Sequence, residues 1–151
     1  MAISTRLFRA PRSVAAKPAV FCCYLRRCAP HLSLTSHLIS SSLTFSVAWC
    51  SNLTDLRLVS NSIRTLPDLG QCCRSSLEDL AVSNNPLFKL PGWLFGLTEL
   101  TTLQVANTSL TSIDDRIEKV RDKLTILDLS LNKGLQLPEI FGNLTNLEVC
   151  G

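Results

Sequence analysis

The sequence predicts an α/β solenoid, a chain wound into stacked coils that each carry one short strand and one outer segment. Three observations predict it. Apolar residues recur at fixed offsets, the pattern returns every 23 to 24 residues, and an Asn followed by a Leu-Pro step closes the ordered part of most units. A fixed period in the twenties is the signature of a chain that repeats one supersecondary unit.

The first clear unit, LTDLRLVSNSIRTLP at residues 53–67, has Leu53, Leu56, Leu58, Asn61, Ile63 and Leu66 at offsets 0, 3, 5, 8, 10 and 13. Neither a helix nor a plain strand gives that spacing. The second unit repeats it with Leu77, Leu80, Val82, Asn85, Leu87 and Leu90. The third has Leu100, Leu103, Val105, Thr108, Leu110 and Ile113. The fourth has Leu124, Leu127, Leu129, Asn132 and Leu137, its middle leucine slipped by one to Leu135, and Leu147 opens a fifth.

Within a unit, the L-x-L pair alternates as a short strand with two apolar side chains on one face. The Asn sits where the chain turns inward, and its amide can satisfy backbone groups that burial would leave unpaired. The L-P step ends the strand, because proline lacks a backbone donor. Beyond it Leu94 and Leu97, Ile117 and Val120, or Phe141 and Leu144 return to the same core. One unit cannot bury its apolar side alone, so neighbours must stack.

These residues resemble the leucine-rich repeat family, whose pattern is L-x-x-L-x-L-x-x-N-x-L-x-x-L-P. The run NPLFKLPGWLFGLTEL at residues 85–100 is most similar to the 23-residue subclass of intracellular Ras-suppressor-type proteins. Thr108 in place of the Asn and Asp114 in place of the Pro depart from the pattern, and the first and third units carry one extra outer residue. The resemblance implies a short curved horseshoe with a parallel β-sheet on the concave face and short helical or irregular segments on the convex face. It spans residues 43–151, about four repeats with partial units at both ends. Leu43, Val47 and Cys50 read as the back half of a unit whose strand is missing, and the array as part of a longer one.

Residues 1–42 are of another kind. Six basic residues (Arg6, Arg9, Arg12, Lys17, Arg26, Arg27) precede the first acidic one, Asp55. An organellar transit peptide, a plain disordered tail and a segment mis-joined to the body all fit. A secretory signal fits less well, since the apolar run AVFCCYL is short and two arginines follow it. No run approaches the length of a membrane span. The net charge of +3 belongs to this leader: the rest has nine basic and twelve acidic residues, or −3. Nucleic-acid binding by the repeats therefore lacks electrostatic support. Hydrophobic content of 46% suffices for a core.

Chemistry-bearing constellations are sparse. Both histidines, His31 and His37, lie in the leader, leaving the repeats without a histidine general base. Phosphate-binding glycine loops and nucleophile elbows are missing too. Cys22, Cys23, Cys28, His31 and His37 do not have zinc-ligand spacing, so no metal or cofactor is expected. The seven cysteines, an odd number without a cysteine-framed cap, point to a reducing compartment. That makes the chain intracellular, or organellar if the leader is a transit peptide. Three N-x-[ST] triplets at Asn52, Asn107 and Asn143 keep open an alternative, a fragment of an extracellular receptor ectodomain.

What remains is a binding surface. The strand residues between the core leucines face the concave side: Asp55 and Arg57, Asp79 and Ala81, Thr102 and Gln104, Ile126 and Asp128. Similarity to the family implies protein–protein recognition there by a non-enzymatic module. The mixture of small and charged side chains favours a partner with a basic or mixed-polar segment.

Overall fold

A computed structural model describes residues 30–33 and 51–150. The cysteine cluster Cys22, Cys23 and Cys28, His37, the half-unit residues Leu43, Val47 and Cys50, and most of the leader lie outside the described residues. The described chain forms one parallel sheet of six strands in sequential order. They are β1 (His31–Ser33), β2 (Asp55–Arg57), β3 (Asp79–Ala81), β4 (Thr102–Gln104), β5 (Ile126–Asp128) and β6 (Val149–Cys150).

Each strand has three residues or fewer because only the x-L-x core of the pattern alternates. Pairing sets Leu56 beside Leu80, Leu103 and Leu127 in one row. All four are buried, as are the leucines or valines two positions on. The carbonyls of Thr54, Glu78 and Thr101 each accept two N–H groups from the next unit, which locks the register. Beneath the sheet one continuous core runs from Leu53 to Leu144.

The leader boundary expected at residue 42 is not where the sheet begins. His31–Ser33 pairs in register with Asp55–Arg57, and the Pro30 carbonyl accepts the N–H groups of Thr54 and Asp55 at 2.8 and 3.0 Å. The strand expected to be missing ahead of Leu43 is thus present. Its mark in the sequence is Leu32, which precedes Leu56 by one 24-residue period, with Leu34 two positions on.

At each inward turn the polar residue closes the backbone account. Asn85 Nδ2 donates to the carbonyls of Leu58 and Val82, both at 2.8 Å, and its Oδ1 accepts the Ile63 N–H at 3.1 Å. Asn132 does the same for Val105, Leu129 and the Leu110 N–H. Thr108 is too short for both roles. Its hydroxyl reaches the Val105 carbonyl at 2.7 Å, while the Leu87 and Phe88 N–H groups turn to the Thr108 backbone carbonyl. Phe88 adopts a φ of 61° beside this altered join. In the fourth unit Gly134, at φ 79°, absorbs the one-residue slip that moves the apolar position to Leu135.

Among the described residues the far side carries three short 3-10 helices, Gly92–Gly96, Asp115–Val120 and Glu139–Asn143. Their N-caps are Pro91, Asp114 and Pro138, so the proline position of the repeat is a helix start. Where Asp114 replaces proline it supplies a side-chain cap, accepting the Arg116 N–H at 2.9 Å. The Arg116 guanidinium returns to Asp114 at 2.7 Å and lies 5.8 Å from the Phe95 ring of the preceding helix. Within Asp115–Val120 Ile117 and Val120 are buried, and Arg121 bridges Glu118 and Asp122 at 3.0 and 3.4 Å.

The Arg116 side-chain and backbone hydrogen bonds hold the Asp114 carboxyl at about 2, below its usual 3.8. A carboxyl depressed by folding stabilises the fold above its unfolded pKa, and that contribution vanishes as pH falls through the folded value. Wild type is therefore expected to exceed Asp114→Asn in urea midpoint above pH ~4, with the gap closing towards pH ~2. A gap independent of pH would refute the assignment.

Candidate interaction surface

In β2 to β5 the central leucine enters the core, so its two neighbours face away from it on the sheet's open side. Parallel register gathers them into two rows. One row contains Asp55, Asp79, Thr102 and Ile126; the other contains Arg57, Ala81, Gln104 and Asp128. Seven of the eight residues singled out in the sequence line one open hollow of about 220 Å³. Asp128 lies beyond its rim.

The residues differ in availability. Asp55 has a side chain only 17% exposed, because Arg57 Nε donates to both its oxygens at 3.1 and 3.2 Å. His31 Nδ1 from β1 stands 3.7 Å from the same carboxylate. Arg57 is 53% exposed. Its pKa is raised above the ordinary arginine value by the Asp55 hydrogen bond, with the charges of Asp55 and then Asp79 adding to it. Asp79 is half-buried and, among the described residues, has no ion-pair partner. Asp128 is pinned by the Ser130 N–H and hydroxyl at 3.0 and 2.7 Å. Ala81 is 4% exposed: it floors the hollow, and a partner would meet the flanking Arg57 and Gln104 first.

Three aspartates against one arginine give the eight residues of the two rows a formal charge of −2. Small or uncharged groups, Thr102, Gln104 and Ala81, occupy the middle of this face, and β5 adds one apolar residue, Ile126, and one carboxylate, Asp128. Its hollow is open rather than enclosed. It has no nucleophile beside a base, and the described residues contain no group of three or more His, Cys, Asp or Glu placed to hold a metal ion.

Two features of this side were not foreseen from sequence. His31 joins it through the strand inside the leader. The other is the left-handed backbone of a row in which Ser60, Asn84, Asn107 and Leu131 have φ between 51° and 60°. Asn107 donates to Asn84 and Asn84 to Ser60, at 3.0 and 3.3 Å, so polar side chains link along the row until Leu131 interrupts it.

No protein-family model matches the chain. It is similar to the protein named "Probable serine/threonine-protein kinase pats1" of Dictyostelium discoideum, with 34% identity over 101 residues. That alignment covers 65% of this chain and 3% of the Dictyostelium protein. A match to so small a part does not extend that protein's title to this chain. Among the described residues, no helix is long and apolar enough to cross a membrane.

Proposed function

We propose that the chain is a leucine-rich-repeat module, a short curved solenoid, whose open sheet face binds a protein partner without catalysis inside the cell. The observation that carries this reading is the in-register stacking of x-L-x strands 23 to 24 residues apart, with one continuous face that no element among the described residues covers. The Asn positions bonded between successive units support the same reading, since they do what the family's pattern would require of them. A kinase reading has little to support it, because the sequence lacks a glycine-rich phosphate loop.

The alternative, part of an extracellular receptor, would have glycans on Asn52, Asn107 and Asn143. Although all three are exposed, the amide of Asn107 is engaged with Asn84. The intracellular module is the better fit.

Two arginines in the middle of the face, Thr102→Arg with Gln104→Arg, provide the test. Neither residue is buried, so the melting temperature should stay within about 2 °C of wild type. Quantitative affinity purification of the full chain and of this variant from the same cells should show face-dependent partners lost by about tenfold or more. Equal recovery on both would sink the proposal.

A further inference from the structure

The run after Pro67 places two adjacent cysteines on the outer turn that leads into β3. Cys73 is fully buried in the core, whereas Cys72 is half-buried and packs against it. Backbone bonds hold both in place. The Leu69 carbonyl accepts the Cys72 and Cys73 N–H groups at 3.3 and 2.9 Å, and the Cys73 carbonyl accepts those of Ser76 and Leu77 at 3.2 and 3.0 Å. Adjacent side chains of an extended segment point to opposite faces. Here the turn brings the two thiols together, with Cys73 donating to Cys72 Sγ at 3.9 Å and Cys72 to the Leu69 carbonyl at 3.8 Å.

A disulfide fits this pair poorly. It needs sulfurs ~2.05 Å apart on Cα atoms usually ~4.4–6.8 Å apart, whereas adjacent Cα atoms are only ~3.8 Å apart. One atom bonded to both sulfurs fits better, since two bonds of ~2.3 Å at a tetrahedral angle, as at zinc–thiolate centres, span ~3.8 Å. Zinc itself would be short of ligands, because the described residues place no third Cys, His, Asp or Glu with the pair. The suitable atom takes two thiolates and brings its remaining ligand with it.

We infer that Cys72 and Cys73 form a dithiol site for a trivalent arsenical that carries one organic group. The inference is independent of the open face. In water such a ligand has two hydroxyls on arsenic. The more accessible Cys72 thiol reacts first. An As–S bond forms, an As–O bond breaks, and the thiol proton leaves with the hydroxyl as water. Cys73 closes the ring in the same way and releases the second water, so arsenic stays trivalent throughout. The organic group lies on the solvent side of Cys72, and only arsenic and sulfur need room at the edge of the core.

Phenylarsine oxide, added to the full reduced chain with an excess of glutathione, tests this. A single thiol yields the arsenical to the competing monothiol, whereas a dithiol keeps it. The other adjacent pair, Cys22 and Cys23, is removed beforehand as Cys22→Ser/Cys23→Ser. Intact mass should then show one arsenical on the folded chain, and fragment mapping should place it on the segment holding Cys72 and Cys73. Cys72→Ser and, separately, Cys73→Ala should each weaken retention at least about tenfold in that background. Cys72→Ser changes a half-buried side chain and should melt within about 2 °C of its parent, so its loss reports the site and not the fold. Unchanged retention in Cys72→Ser, an arsenical mapped to other cysteines, or reaction only after unfolding in urea would overturn the inference.

Discussion

Replacing Asn85 with alanine is expected to cost about 3–5 kcal/mol of stability, among the largest effects of any single substitution in this chain. Its amide donates to the buried carbonyls of Leu58 and Val82, reaches that of Ser83 at 3.2 Å, and accepts the Ile63 N–H. Alanine leaves these groups buried and unpaired in two successive units at once. The urea midpoint should fall accordingly with an unchanged slope. A loss under about 1 kcal/mol would mean that water or a backbone shift replaces the amide. Asn85→Thr should cost less, because Thr108 shows how a hydroxyl and a moved backbone carbonyl share the same task.

Leu103→Ala is expected to destabilise by about 3–4 kcal/mol. Leu103 is fully buried on β4, in register between Leu80 and Leu127, and strands on both sides limit how far the cavity can collapse. Leu137→Ala removes the same atoms from a side chain that is 51% exposed and should lose less than about 1 kcal/mol. Chemical denaturation of the pair separates burial from side-chain chemistry. Similar losses for both would contradict the placement of the core.

Much of this organisation was legible in the sequence because it rests on period and residue type. The leucine offsets mark the strands Asp55–Arg57 through Ile126–Asp128 and the residues that flank the core leucines. That is why seven of the eight singled-out residues share one hollow. Other features depend on interactions that a repeat pattern does not encode. The pairing of Asp55 with Arg57 could not be read from alternation alone, nor could the covering of Ala81. The left-handed row ending at Leu131 is a backbone property, and leucine is the residue least expected to mark it. The strand His31–Ser33 was obscured by composition: a basic, serine-rich leader without acids hid a Leu32 that keeps the period. The outer segments were expected to be helical or irregular, and both kinds occur. The run after Pro67 forms turns around the buried Leu69 and Cys73, whereas the later three form 3-10 helices.

Among the described residues, each strand pairs only with the strands one unit before and after it, and each 3-10 helix packs only on its neighbours. The partners in sequence are always 23 or 24 residues apart. For folding kinetics this sets one repeated elementary step. Closing a loop of that length costs nearly the same entropy each time, and no later step requires a longer closure. The slow event is then the first pair of units to dock, after which every addition meets a ready template. Length alone should therefore add little to the barrier. The speed at which the native state is reached is set by whichever adjacent pair holds together best without its neighbours.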